Sequence, residues 1–357
     1  MANQSATGLR VGIVGCGKIA ETHIPYIRKA GGELVAIADV SSVRANDLAD
    51  RFTVQRIYRK IADLIEVEQP DVVHVLTPPH THASVAVEAL ERGVHVLVEK
   101  PMATDPLEAD AMVRAARASG ALLTVDHNRL FDPVMLEARR LLESGALGEI
   151  VAVESYQAGQ ASERSWLEHV PGRGLGDLLP HPLYLQLSFL GGVRDLHADA
   201  FRLGEDGGEE LRVLMEGERC SGVLTISTNA HPQLNTLKLY GTRMSVEVNL
   251  NNMTLVSRRE YDVPKIVAKS LPNLDEAWQL SRQTVTNAVD FVRGKVRYYP
   301  GMGTLIGRFY DAVRAGERPP VAPEDGAEVV RVTAAIWHAL GTAGARVGDA
   351  PAARMEA

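Results

Sequence analysis

The chain has 357 residues, with 38 Lys+Arg against 45 Asp+Glu for a formal net charge of −7. That length is material for about two domains, and 45% apolar with 23% charged residues excludes a disordered chain. The acidic balance argues against nucleic-acid or anionic-membrane binding, and no apolar run approaches the roughly 20 residues that span a bilayer.

The two cysteines, Cys16 and Cys220, make neither a disulfide framework nor a four-thiolate zinc site. The opening residues MANQSATG are polar and lack the apolar stretch of a secretory leader, so a cytoplasmic protein is expected.

Leu9–Val14 (LRVGIV) reads as a buried strand, as do residues 34–39, 71–77, 94–98 and 122–125. Between them His82–Glu91 and residues 106–118 read as helices. The second opens on Asp105-Pro106, a cap followed by a first-turn proline, with Leu107, Ala111, Val113 and Ala118 as its expected apolar stripe. This alternation predicts an α/β, doubly wound parallel sheet of Rossmann type.

Directly after the first strand stands Gly15-Cys16-Gly17-Lys18-Ile19-Ala20. Gly15 suits a tight turn, Gly17 admits a pyrophosphate close to the backbone, and Ala20 permits close helix–strand packing. The helix start at Lys18 and Ile19 supplies N–H donors. Asp39 ends the next strand at the spacing of a ribose-binding acid, and its charge repels a 2′-phosphate, which favours NAD over NADP. Arg44 either reaches a phosphate or is a solvated helix charge. Thr77-Pro78 and Glu99-Lys100-Pro101 close two further strands, where ligands sit in open α/β sheets. Prolines restrict both loops, His82 opens the next helix, and Lys100 is placed to point into the crevice.

After Gly148 the strands have one wet face. Residues 212–216, 223–228, 237–240 and 246–250, with turns at 204–208 and 217–222, predict an α+β domain with a large, mostly antiparallel open sheet, helices covering one face. Helices are expected around 275–292 and 304–315, and a third from Pro323-Glu324-Asp325. In the third, Val329, Val332, Ile336 and Leu340 share a face and Gly341 is its expected end. Residues 348–357 are expected to fray.

Asp177 and His181, four apart in GRGLGDLLPH, fall on one face of a helix start, although Pro180 and Pro182 leave that geometry open. Either residue can instead be an ordinary helix-end group. His74 reads as a core histidine. His80 and His82 lack a ligand set at metal spacing, so no metal is expected.

Taken together, residues 15–20, Asp39, Thr77-Pro78 with His82, Glu99-Lys100-Pro101, Asn128-Arg129 and residues 142–150 resemble the glucose–fructose oxidoreductase/inositol dehydrogenase (GFO/IDH/MocA) family. The resemblance implies an NAD(P)-binding domain over residues 1–128. A substrate and oligomerisation domain would follow over 129–357, its last helix packing back on the first. It implies oxidation or reduction of a sugar, cyclitol or related polyol by a homodimer or homotetramer, with Lys100 at the reactive carbon and Asp177 and His181 facing nicotinamide and substrate. Where the family often has an acid three positions after the histidine, this chain has Tyr184.

Oxidising an alcohol requires loss of a hydride and of the hydroxyl proton. Lys100 or His181 can relay that proton, and Asp177 can orient the substrate. Arg164 and Trp166 can contact a sugar by paired hydrogen bonds and ring stacking, or belong to a plain surface loop. Asn128 and Arg129 either line the substrate or brace the joint between domains. Elimination or glycoside cleavage with recycled NAD would use the same Lys100, Asp177 and His181, whereas a non-catalytic NAD-binding partner protein would need none of the three, so their joint presence counts against it.

Overall fold

The structure is a computed structural model that describes residues 8–159, 165–170, 172–202, 209–293 and 299–343. Its first sheet holds β1 (Leu9–Val14), β2 (Gly32–Ala38), β3 (Ile57–Tyr58), β4 (Val72–Val75), β5 (His95–Val98) and β6 (Leu123–Val125). All pairs are parallel and the order is 3-2-1-4-5-6. Connecting helices are α1 (Lys18–Lys29), α2 (Ser42–Phe52), α3 (Ile61–Glu68), α4 (His82–Glu91) and α5 (Pro106–Ser119). Burial on both faces explains the unbroken apolar runs: Val11, Ile13, Val73, Val75, Val96 and Leu97 are fully buried. Strand order reverses at β1, so the crevice lies at the carboxyl ends of β1 and β4.

One strand went unread in the sequence, and the buried face of one helix needs correcting. β3 is an edge strand of two residues, too short to leave a pattern in the sequence. The cap of α5 is as expected, with Asp105 Oδ1 accepting from Leu107 N at 2.7 Å. Its buried stripe, however, is Ala109, Met112, Val113 and Ala116, while Leu107 and Ala118 are exposed and Ala111 is half-buried. Ala-rich helices carry little contrast between faces, and the core chose the face that held Met112.

After α6 (Pro133–Glu143) come β7 (Ile150–Ala158), α7 (Arg173–Leu178), α8 (Pro180–Leu190), β8 (Val193–Arg202), β9 (Glu209–Gly217), β10 (Ser221–Ser227), β11 (Leu234–Gly241), β12 (Met244–Asn249) and β13 (Thr254–Arg259). The seven strands β7 to β13 form one sheet in the order 13-12-11-7-10-9-8, antiparallel except where β7 pairs β10. Gly222 lies inside β10, so the tight turn is only 218–220. The expected turn at 204–208 and the tail at 348–357 lie outside the described residues.

Four helices end the chain: α9 (Lys265–Ala268), α10 (Leu271–Val292), α11 (Pro300–Ala315) and α12 (Pro323–Ala343). One face of the second sheet packs on α6, α8 and α12, burying Leu183, Phe189, Val213, Leu237, Val246 and Ile336. α11 instead joins the first core through Phe309 and Tyr310. α12 serves both cores, Ala327 and Val330 the first, Val329, Val332 and Ile336 the second. It runs through Gly341 instead of ending there, because one helical glycine costs only about 1 kcal/mol and packing of the Val329–Leu340 face outweighs it. Among the described residues no helix is long and apolar enough to cross a membrane.

Candidate active site

The crevice is floored by the turn after β1. Gly15 has φ +102°, and a Cβ there would fall 2.5 Å from Leu76 O, so only glycine fits. A Cβ on Gly17 would meet nothing within 4 Å, and Gly17 caps α1 without a side chain. Open space therefore lies beside Gly17 at the start of α1, where a phosphate could approach the helix N-terminus. Ala20 is fully buried against the sheet.

Asp39 is the hub of this side. Its Oδ2 accepts from Cys16 N at 2.8 Å and its Oδ1 from Ser41 N at 2.7 Å. Arg44 folds back onto it, Nη2 to Oδ1 at 3.1 Å, an arrangement neither alternative for Arg44 had offered. Burial pushes the Asp39 carboxyl up, but the bonds from Arg44, Ser41 and Cys16 outweigh it and hold the group below the usual carboxylate range. Cys16 is no reactive thiol, since burial and the Asp39 charge push it up to about 12.

Two strand-end loops form the crevice wall and are tied together by His82. Its ring nitrogens lie 2.8 Å from Pro101 O and 2.7 Å from Thr77 O. His82 is fully buried, so it acts on the site by holding the Thr77-Pro78 loop against Pro101. His80, by contrast, is exposed and its ring centroid lies 4.6 Å from that of His169.

Lys100 leaves the end of β5 and meets the second domain. Its Nζ lies 3.1 Å from Asp177 Oδ1 and 3.3 Å from Asp177 O. α7 and α8 are separated by Leu179 alone, which keeps helical angles. Pro180 takes the first position of α8, where its missing N–H is tolerated. Gly172 caps α7 at φ +72°, and a Cβ there would collide with Trp337 of α12, so the glycine-rich turn is seated on the last helix.

His181 Nδ1 lies 3.0 Å from Tyr184 Oη, and that oxygen accepts from Arg129 N at 3.3 Å. Burial first, then the charges of Lys100 and Arg129, hold His181 well below 6.5, so the ring is neutral. Tyr184 stacks on His127 with centroids 4.3 Å apart. The Arg129 guanidinium reaches Asp132 at 3.9 Å, which favours its bracing role, and Asn128 is half-buried on the same turn. Trp166 is half-buried on the segment 165–169 that also carries His169. Arg164 lies outside the described residues.

Behind Lys100 is a polar cluster of which sequence reasoning named only Glu99, expected to face the cofactor, and the core histidine His74. Glu99 Oε2 accepts from Lys100 N at 3.1 Å, while Oε1 lies 3.1 Å from His23 Nε2. Asp126 Oδ2 is 3.5 Å from the same nitrogen. His23 Nδ1 meets His74 Nδ1 at 3.0 Å, and His74 Nε2 meets Tyr310 Oη at 2.9 Å, so His74 is the core histidine expected. Burial pushes His23 down, but its bonds to Asp126 and Glu99 outweigh that and raise it to about 9. Burial and the Glu99 charge raise Asp126 to about 7. His23, Glu99 and Asp126 place ligand-type atoms within 4.8 Å of one another, and the imidazolium charge balances the carboxylates there. The only clue in the sequence was polar residues inside apolar runs, notably Asp126-His127 after β6.

A glycine-rich turn at the switch point of a parallel sheet, with an acid ending the next strand, defines a dinucleotide-binding protein. The chain belongs to the GFO/IDH/MocA oxidoreductase family: residues 9–127 match its NAD-binding Rossmann fold and residues 135–247 its C-terminal domain. The protein is thus an NAD-binding oxidoreductase. It is 26% identical over 260 residues to oxidoreductase P35 of Formosa agariphila, covering 68% of this chain and 80% of that protein. It is 36% identical over 143 residues to inositol 2-dehydrogenase 4 of Saccharopolyspora erythraea, covering 39% of this chain and 42% of the relative. That second alignment spans less than half the relative's length. Levoglucosan dehydrogenase in complex with NADH has the same fold, with a TM-score of 0.78 at 20% identity over 94% of this chain and 97% of the other.

Proposed function

We propose that the protein transfers hydride between NAD and a secondary alcohol or ketone of a sugar or cyclitol, with Lys100 moving the proton. The observation that carries this reading is the Lys100–Asp177 contact at 3.1 Å, which joins the cofactor strand to the helix of the second domain. Nucleotide binding alone needs no such contact. Bound NAD accepts or supplies the hydride.

The residues divide the remaining work. Lys100 relays the hydroxyl proton during oxidation, and the Asp177 carboxylate beside it stabilises the ammonium form. In reduction the same ammonium returns it. The buried Tyr184 hydroxyl has His181 Nδ1 as its acceptor, with the Arg129 N–H donating to the phenol oxygen. His181 then keeps its proton on Nε2 and presents a donor that holds the substrate oxygen in line. Asn128 and Trp166 are substrate-side contacts in this reading, and Arg129 braces the turn after β6 against Asp132 and Tyr184. Asp39 sets a preference for NAD over NADP that Arg44, by neutralising part of its charge, keeps moderate.

The test is a screen of sugars, cyclitols and nucleotide sugars for NADH formation at 340 nm. Steady accumulation of NADH with one class supports a net dehydrogenase. Product formation without net NADH would overturn it in favour of recycled cofactor.

A further inference from the structure

Lys100 can aim its amine at Asp177 only while its backbone stays in place, and little of the fold holds it there. The ladder of β5 ends with Glu99 N donating to Val75 O at 3.0 Å. Lys100 comes next, past that last rung, and Pro101 after it has no N–H to give. Among the described residues the partner of the Lys100 amide is the Glu99 carboxylate, with Oε2 at 3.1 Å. Fixing the Lys100 backbone therefore reduces to fixing one carboxylate.

That carboxylate ends a directed chain of donors. His23 Nδ1 and His74 Nδ1 lie 3.0 Å apart, so one donates and the other accepts. Burial, and then the charge of His23, hold His74 well below 6.5, so its ring is neutral. His23 is the protonated ring, because its bonds to Asp126 and Glu99 outweigh burial and raise it to about 9. His23 therefore donates through Nδ1, and His74 carries its own proton on Nε2, which faces Tyr310 Oη at 2.9 Å. The remaining proton of His23, on Nε2, points to Glu99 Oε1 at 3.1 Å, while Asp126 Oδ2 at 3.5 Å is the longer contact. Tyr310, His74 and His23 are all fully buried, so water does not stand in for any of them.

On the reading that Lys100 moves the proton, we propose that His23 is a positioning residue for the reaction: through Glu99 it fixes the Lys100 backbone, and with it the line from Lys100 Nζ to Asp177. A reacting group displaced by only about 1 Å can lose roughly 10²-fold in rate, so a bond behind the site is felt in the chemistry.

Two amides separate this role from core filling. The amide nitrogen of His23→Gln falls at the place of Nε2 and still donates to Glu99. That of His23→Asn falls at the place of Nδ1 and reaches His74 instead. Both variants lose the ring and its extra proton alike. Amide hydrogen exchange at Lys100, followed by NMR on the full chain, needs no substrate. Protection should survive in His23→Gln and fall by about tenfold or more in His23→Asn. With the sugar or cyclitol that the 340 nm screen returns, kcat should drop by about 10–100-fold in His23→Asn and by no more than about threefold in His23→Gln. KM and NADH affinity should stay unchanged in both. Should His23→Asn not fold, Tyr310→Phe, which takes only the acceptor from His74, should loosen the Lys100 amide in its place. An unprotected Lys100 amide in the wild type, equal behaviour of the two amide variants, or full protection in Tyr310→Phe would each overturn the role of His23. Slow chemistry in Lys100→Met beside a normal His23→Asn would sink that role alone and leave the proposed function standing.

Discussion

The two sides of the cleft are built by different means. On the cofactor side the backbone does the work: the φ of Gly15, the bare cap at Gly17, and Asp39 accepting the Cys16 and Ser41 amides all lie within 27 residues. On the side we assign to the substrate, side chains arrive from separate elements: Lys100 from the end of β5, Asp177 from α7, His181 and Tyr184 from α8, and Arg129 from the turn after β6. A site made of backbone needs a short motif and is robust. A site made of converging side chains needs the whole tertiary structure, and each member depends on its neighbours for charge and tautomer.

The sharpest way to test that contrast is Lys100→Met, which removes one member of the converging set. Methionine keeps much of the side-chain length but cannot move a proton. NADH titration should stay near wild type while single-turnover chemistry falls by roughly 10²–10⁴-fold. A matching loss of NADH affinity would reassign Lys100 to the cofactor side.

The cluster beneath Lys100 gives the next largest effect, and it is read in stability. His23 is raised to about 9 in the fold against an ordinary 6.5. Its contribution is therefore complete below pH 6.5 and is lost as pH rises through about 9, by at most about 3 kcal/mol. Asp126, raised to about 7, costs stability as pH climbs from its ordinary 3.8 towards 7 and changes little beyond. Urea midpoints should thus fall between pH 7 and 9, and His23→Gln should flatten that slope. An unchanged slope in the variant would show that His23 does not hold the extra proton.

On the cofactor side, Asp39→Ser releases Arg44 from its ion pair. Fluorescence titration should then show the NADH/NADPH preference moving towards NADPH by about 10–100-fold, the scale of one hydrogen bond to a charged group. Adding Arg44→Ala should cancel the gain. If it does not, the 2′-phosphate is held by something other than the released guanidinium.

The smallest effect comes from a residue on neither side. Asp105→Ala should lower stability by about 1 kcal/mol through the lost cap on α5, with kcat and KM unaltered. Altered kinetics would mean that the end of α5 is coupled to the Lys100-Pro101 loop it follows.

Some of this molecule is written locally. Residues 15–20, Asp39 and Lys100 each follow a strand whose apolar run is unmistakable, so their position at the strand ends was legible by register alone. The bounds of β1 and α4 were legible for the same reason. The buried face of α5 was not, because alanines fill several of its sides and only packing broke the tie towards Met112. Nor was the partner of Arg44, since a flexible side chain at a helix start can serve Asp39, solvent or a phosphate equally well until the fold sets distances.

Sequence by itself therefore determined the parallel sheet, its glycine turn, and the residue types at the ends of its strands, because hydrophobic periodicity and backbone φ are properties of short segments. Tertiary structure alone decided that Asp177 meets Lys100, that Tyr184 holds His181, and that His23 sits between Glu99 and Asp126. It also turned Gln279 and Gln283 of α10 inward against β13. Contacts between residues tens of positions apart carry no local signature, and their charges and protons are set by burial and neighbours that exist only once the chain has folded.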